Sequence, residues 1–268
     1  MLRVAIIGAS GRMGQTLVGL VAAAEDLRLS GAGTEPGHAS VGADAGSLAG
    51  VGSLGVAITD DIGHAVHGAD VAIDFTLATA AATNLAACVS HGVALVMGTT
   101  GLDTAGQAAL ERAAGSIPVV YGRNMSVGVN LMTALVGLAA RTLGEDYDIE
   151  ILETHHRHKV DAPSGTALQL GEAAAAARGR RLADVAVYGR HGNAGPRATG
   201  SIGFASLRAG SVVGDHTVLL AADEEILEIS HRAIDRAVFA RGALRAARWL
   251  PGRAPGLYGM REVLGLEP

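Results

Sequence analysis

Val4-Ala5-Ile6-Ile7-Gly8-Ala9-Ser10-Gly11-Arg12-Met13-Gly14 lies near the start of the chain. Four consecutive apolar residues read as a strand buried on both faces, and an amphipathic stretch over residues 13–24 reads as a helix. Between them, Gly8, Gly11 and Gly14 allow a tight turn. Glycine lets backbone N–H groups approach a pyrophosphate closely, and a helix N-terminus favours its negative charge. Strand, glycine turn and helix in this order predict a dinucleotide-binding unit, with Gly8, Gly11, Arg12, Met13 and Gly14 in the phosphate loop. The spacing is G-x-x-G-x-x-G rather than G-x-G-x-x-G, so the surrounding strand and helix carry the reading; without them it is a turn in a glycine-rich chain.

The same rhythm continues outward. Strands are expected at 27–32, 71–75, 94–97 and 119–121, with Ala-rich helices over 77–90 and 103–113. Residues 33–55 are rich in Gly and Ser and read as loop with one short helical turn. Alternating strands and helices predict a doubly wound parallel sheet of Rossmann type. Its ligand edge lies at the carboxyl ends of the strands, where Glu35, Asp74-Phe75-Thr76 and Gly98-Thr99-Thr100-Gly101 fall. Glu35, 21 residues beyond Gly14, is placed to accept hydrogen bonds from adenosine ribose hydroxyls. A carboxylate there repels the 2′-phosphate of NADP unless a cation offsets it. Pro36 and Gly37 follow rather than an arginine, and Arg12 is the nearest candidate.

Composition bounds the alternatives. The chain has 268 residues, enough for one large or two modest domains. Hydrophobic residues are 49% and charged residues 18%, which gives ample material for a core. The formal charge of -5 argues against a nucleic-acid-coating protein. A single cysteine, Cys88, excludes an intramolecular disulfide and a four-cysteine zinc site. The start shows no cleavable signal pattern, and the apolar stretch 127–140 contains Asn130 and is shorter than a membrane span. A soluble, cytoplasmic protein without membrane contact is expected.

Beyond Asn124 the rhythm changes. A long apolar helix over 127–143 leads to a strand at 149–154, a polar loop at 155–163 and a helix from Ser164. Strands at 203–208, 212–220 and 225–231 follow, the first two joined through Ala209-Gly210-Ser211 as an expected hairpin. These predict a second, α+β domain with a mixed or antiparallel sheet, after which a helix over 234–249 returns the chain to the first. The expected division is 1–126 with 236–268 for the dinucleotide, and 127–235 for substrate binding and oligomerisation.

The densest chemistry is His155-His156-Arg157-His158-Lys159-Val160-Asp161-Ala162-Pro163-Ser164-Gly165-Thr166. It holds three of ten histidines and the one lysine among 21 basic residues. A metal site is disfavoured, because His155 and His156 are adjacent and Arg157 and Lys159 repel a cation. A solvated basic loop is the plain alternative. The chemical reading is anion binding with proton transfer: Ser164, Gly165 and Thr166 open a helix whose amides and hydroxyls suit a carboxylate. A neighbouring histidine or lysine could then deliver a proton. Lys159 suits that task better than a fixed guanidinium.

These segments, with Asn124–Asn130 (N-M-S-V-G-V-N) and 203–214 (G-F-A-S-L-R-A-G-S-V-V-G), resemble the 4-hydroxy-tetrahydrodipicolinate reductase (dihydrodipicolinate reductase) family over essentially the whole chain. The stretch H-H-R-H-K-V-D-A-P-S-G-T-A is the most specific part of the match. The resemblance implies reduction of a cyclic imine-type dicarboxylate by NADH or NADPH, with loss of water from the 4-hydroxy substrate. It implies His155 and Lys159 as the proton-transfer pair, and His156, Gly165 and Thr166 as substrate-carboxylate contacts. Gly8, Arg12, Met13, Glu35, Gly98, Thr100, Asn124 and Met125 fall at cofactor contacts, with Arg236 near the substrate and Phe239 near the cofactor. It further implies a homotetramer built through second-domain sheets. Many relatives carry an arginine after the acidic residue of the second strand; its absence here leads to the expectation that NADH serves at least as well as NADPH. A different two-domain dehydrogenase shares the glycine loop but not the His/Lys segment. A dinucleotide-sensing regulator needs no proton donor.

Overall fold

The computed structural model describes residues 1–266; residues 267 and 268, which end the expected first domain, lie outside the described residues. The chain divides into two compact units, one of residues 1–127 with the segment from Ala237 onward, the other Gly128–Arg236.

In the first unit, β1 (Leu2–Ile7), α1 (Arg12–Ala22) and β2 (Leu27–Gly33) form the opening βαβ. There follow α2 (Ala45–Leu48), β3 (Ile58–Thr59), α3 (Ile62–Val66), β4 (Val71–Asp74), α4 (Ala81–His91), β5 (Ala94–Met97), α5 (Thr104–Ala114) and β6 (Pro118–Tyr121). Next come α6 (Val127–Leu143), β7 (Asp148–His155), α7 (Gly165–Ala177), α8 (Leu182–Val185), β8 (Ala186–Val187), β9 (Ile202–Arg208), β10 (Gly214–Ala221) and β11 (Ile226–Ala233). The chain then re-enters the first unit with α9 (Ala237–Trp249), β12 (Gly256–Tyr258) and α10 (Met260–Leu264).

The seven strands of the first sheet run in the order β12-β6-β5-β4-β1-β2-β3, every pair parallel. Consecutive side chains of β1 serve opposite faces. Val4 and Ile6 pack with Leu17 and Val18 of α1 and Ala243, Leu244 and Ala247 of α9, while Ala5 and Ile7 join Leu85, Leu95, Met97 and Leu110. Strand order reverses between β1 and β4, the switch point at whose carboxyl ends open α/β sheets bind ligands. Asp44, Asp61 and Asp103 cap α2, α3 and α5 by accepting a backbone N–H, the device short side chains supply at a helix start.

The second sheet is mixed, in the order β11-β10-β7-β9-β8. β10 runs antiparallel to both of its neighbours, β7 and β11, and the remaining pairs are parallel. The core lies on the face formed by Ile149, Ile151, Phe204, Val218 and Leu220, covered by Met132, Val136 and Ala140 of α6 and Leu170 and Ala174 of α7. The opposite side of α6 exposes Leu131, Leu135 and Leu138. With its continuing turn, α6 spans Val127–Asp146, 20 residues containing an 18-residue window of mean hydropathy 1.4, long and apolar enough by length and composition for a membrane span. It thus exceeds the stretch expected from sequence.

Several expectations need correction. Ala209-Gly210-Ser211 does not close a hairpin, because β7 lies between β9 and β10 and pairs with both. The segment instead crosses the end of β7, with Ala209 N–H donating to His155 O (2.8 Å) and Arg157 N–H to Gly210 O (3.2 Å). The alternating burial of β7 explains the insertion: its inner side chains need neighbours on both edges to be covered. Residues 33–55 contain the expected helical turn as α2, whereas β3, α3 and β12 were not anticipated. The returning helix begins at Ala237 rather than at 234.

Candidate functional site

The glycine loop is built by close approach. Gly8 has φ +84°, which L side chains rarely adopt. A Cβ on Gly14 would fall 2.0 Å from Gly8 O and 2.7 Å from Ala9 Cα, so only glycine lets α1 start against the strand end. Gly11 is the N-cap of α1 and contributes no side-chain cap, which leaves the first-turn amides of Arg12, Met13 and Gly14 to face an anion. Arg12 is exposed in that turn. Ser10 and Thr34 hydroxyls meet at 2.6 Å and tie the loop to the end of β2, beyond which Glu35 is exposed.

The neighbouring strand ends are pinned by the buried Asp74. Its Oδ1 accepts the Thr76 N–H (2.7 Å) and the Thr99 hydroxyl (3.3 Å), and its Oδ2 accepts from Asn84 Nδ2 (2.9 Å). Thr99 is thus consumed in holding the turn, while Thr100 next to it is exposed. Gly98 has no room for a side chain: a Cβ would sit 2.4 Å from the Phe75 ring. Burial, followed by the Asp74 charge, pushes the Cys88 thiol up to about 12, so this cysteine is inert packing.

Met13, Phe75, Gly98, Gly122, Arg123, Asn124, Met125 and Phe239 line one cavity of about 220 Å³. Its walls come from the start of α1, the ends of β4, β5 and β6, and the first turn of α9. Asn124 Oδ1 accepts the Ser126 N–H at 2.8 Å, and Met125 is buried against Gly242, where a Cβ would lie 1.7 Å from Met125 O. Five of the sequence candidates meet here: Met13, Gly98, Asn124, Met125 and Phe239. Phe75 entered only as part of the strand-end segment Asp74-Phe75-Thr76, and Gly122 and Arg123 were not among them; the position of these two directly after β6 was the available signal.

In the second unit, β7 ends at His155, 9% exposed, whose Nδ1 lies 2.5 Å from Glu153 Oε2. Arg208 grips the same carboxylate with both terminal nitrogens, at 2.8 and 2.9 Å. Burial pushes the Glu153 carboxyl up, but hydrogen bonds from Arg208 and then His155 outweigh it and hold the group below the usual carboxylate range. His156 is half-buried, with its Nε2 3.2 Å from Arg236 Nη2. Desolvation, followed by the Arg236 charge, lowers its pKa. Lys159 Nζ donates to both oxygens of Asp161 at 2.8 and 2.9 Å, and Asp161 O accepts from Arg208.

Ser164 sits at the start of α7. Its Oγ accepts the Ala167 N–H as the N-cap of α7 (3.1 Å) and meets His216 Nε2 (2.9 Å), while its N–H donates to Glu153 (3.2 Å). With 2% exposure and its polar groups engaged, Ser164 orients the helix start rather than offering a hydroxyl to solvent. Gly165 is exposed, with nothing within 4 Å of where a Cβ would stand, and Thr166 is half-buried beside it. Among the described residues no cluster of three or more His, Cys, Asp or Glu could hold a metal. Glu153, Arg208 and His216 escaped sequence reading. Glu153 was detectable as an acid in register with Ile149 and Ile151 on the buried face.

A seven-stranded parallel sheet with a glycine loop at its switch point, joined to a mixed-sheet unit bearing a His/Lys segment, defines a two-domain dehydrogenase of Rossmann type. At the level of fold, an amine dehydrogenase from Mycobacterium smegmatis is similar, with TM-score 0.60 and 15% identity over 96% of this chain and 94% of that one. A dipicolinate-bound dihydrodipicolinate reductase from Paenisporosarcina sp. TG-14 is also similar, with TM-score 0.76 and 25% identity over 98% of each chain. The profile described as "Dihydrodipicolinate reductase, N-terminus" matches residues 2–125, and "Dihydrodipicolinate reductase, C-terminus" matches 128–264. The chain belongs to the dihydrodipicolinate reductase family. It is 56% identical to a 4-hydroxy-tetrahydrodipicolinate reductase of Alkalilimnicola ehrlichii over 98% of this chain and 99% of the relative. It is 54% identical to one of Pseudomonas fluorescens (strain SBW25) over the full length of both.

Proposed function

We propose that this protein reduces 4-hydroxy-tetrahydrodipicolinate to tetrahydrodipicolinate, releasing water and oxidising NADH or NADPH, in lysine and diaminopimelate biosynthesis. The observation that carries the proposal is the His155–Thr166 segment. There a buried histidine on a fixed carboxylate, a lysine and an uncovered helix start lie within twelve residues.

The first unit fits a dinucleotide at the glycine loop, because the first-turn amides of α1 face outward and Gly8 and Gly14 leave no side chain in the way. Bound there, the cofactor supplies a hydride to a ring carbon. Gly8, Gly11, Arg12, Met13 and Gly14 hold the phosphates. Glu35 accepts from the ribose, and Gly98, Thr100, Asn124, Met125 and Phe239 line the remainder, with Thr99 fixing their turn. Glu35 followed by Pro36 and Gly37 favours NADH at least as well as NADPH.

In the second unit, His156, Gly165, Thr166 and Arg236 bind the substrate carboxylates. The His155 and Lys159 pair supplies the proton that balances the hydride at the ring nitrogen. Asp161 holds the ammonium of Lys159 until substrate draws it away. Residues 1–126 and 236–268 act on the dinucleotide, apart from Arg236, which serves the substrate, and 127–235 act on substrate and assembly. Leu207 and Ile226, 50% and 66% exposed on the outer face of the second sheet, support a homotetramer formed through that sheet, in the cytoplasm. The test compares His155→Asn and Lys159→Ala with wild type in NADH binding by fluorescence and in substrate-dependent NADH oxidation. Retained binding with lost turnover supports the reductase. Unchanged turnover in both variants refutes the assignment of the pair.

A further inference from the structure

The register of the second sheet gathers five polar residues at one end of its inner face. Glu153 of β7 is paired with His216 of β10 and Ser206 of β9, and His155 with Arg208. Strand period 2 then puts Glu153 and His155 on the same side as the core residues Ile149 and Ile151. Glu153 is 1% exposed, and four donors converge on it: His155 Nδ1 at 2.5 Å, Arg208 Nη1 at 2.8 Å and Nη2 at 2.9 Å, and Ser164 N–H at 3.2 Å.

An ionised carboxylate can only accept hydrogen bonds. With Arg208 and Ser164 already donating, Glu153 stays ionised and Nδ1 of His155 must carry a hydrogen. The nitrogen left to gain and lose the mobile proton is Nε2. That atom is flanked by Gly214, where a Cβ would stand 3.0 Å from Nε2 and 3.4 Å from Cδ2. His216 lies edge-on to His155, with ring centroids 5.1 Å apart. Burial, followed by the His155 charge, pushes His216 down to about 4, so it is neutral and places no second charge beside His155.

We propose that Glu153, gripped by Arg208, is a positioning residue that holds His155 in its Nδ1–H form, making Nε2 the proton-delivering atom, and that Gly214 keeps the flank of that atom clear. The proposal rests on His155 acting as an acid in the reduction above, but its structural half can be read without turnover.

The test is a long-range ¹H–¹⁵N spectrum of the full-length protein labelled at histidine, with His155→Asn used to assign the signal. The expected neutral form has a protonated Nδ1 and a bare Nε2; the reverse tautomer overturns the proposal. Glu153→Ala should expose the Nε2–H form and lower kcat by about 10²–10⁴-fold, with substrate KM little changed, as for loss of a histidine's orienting carboxylate. Wild-type kcat in that variant overturns the positioning role. Should Glu153→Ala fail to fold, Gly214→Ala keeps the carboxylate and should keep the Nδ1–H signal while lowering kcat; full activity there refutes the Gly214 assignment. If wild type shows the Nδ1–H form yet does not turn over this substrate, the reduction has failed and the tautomer assignment has not.

Discussion

His216 couples folding stability to pH. Its side chain is 4% exposed, and burial lowers its pKa from the ordinary 6.5 to about 4. The unfolded chain takes up the proton as pH falls through 6.5, whereas the folded site resists until about 4. Stability present above 6.5 is therefore lost progressively across that window. Two-state linkage with these two values gives a loss of about 2 kcal/mol between pH 7 and pH 5, approaching about 3 kcal/mol below pH 4. His216→Gln removes the titration and keeps a polar partner for Ser164 Oγ. Urea unfolding of both proteins at pH 7 and pH 5, fitted with a common slope, isolates the effect because other titrating groups cancel in the double difference. The wild type should lose about 2 kcal/mol more than the variant on acidification. Equal losses would refute the buried, neutral His216 and with it the uncharged flank assigned to His155.

Other consequences can be checked independently. Lys159→Ala should lower kcat by about 10²–10⁴-fold, the usual span of acid–base catalysis, while NADH binding measured by fluorescence stays unchanged. Gly14→Ala forces a methyl group onto backbone atoms of Gly8 and Ala9 and should cost at least about 2 kcal/mol in urea unfolding, together with loss of NADH affinity. Asp74→Ala strips the acceptor from Thr76, Thr99 and Asn84 and should raise the KM for NADH without changing substrate KM, read from steady-state kinetics. Glu35→Ala should weaken NADH more than NADPH, visible as a fall in the kcat/KM ratio of the two cofactors.

The parts legible in the sequence are those whose determinants are local. A buried strand, three glycines and a helix start occur within eleven consecutive residues, so the opening βαβ could be read directly. The His155–Thr166 segment is also contiguous, and its residue types announce acid and anion chemistry. Less legible were pieces whose identity comes from pairing. β3 has two residues and β12 three, too short to show periodicity, and both exist because a parallel neighbour offers an edge. The misread hairpin shows the same cause at larger scale: Ala209-Gly210-Ser211 has turn chemistry, but turn chemistry does not report that β7 occupies the space between β9 and β10. Arg208 and His216 reach Glu153 only through that pairing, which is why the support of His155 was invisible before its neighbours were placed. Ser164 was recognised as a helix start, while its internal partners His216 and Glu153 became visible only in three dimensions.

Oxidation of NADH and NADPH with 4-hydroxy-tetrahydrodipicolinate, generated in the cuvette from pyruvate and aspartate semialdehyde, tests the reductase activity itself. Rapid oxidation that depends on this substrate is expected, with kcat/KM for NADH at least equal to that for NADPH. Binding of both cofactors with consumption of neither would contradict the reductase assignment, and a large preference for NADPH would contradict the role given to Glu35.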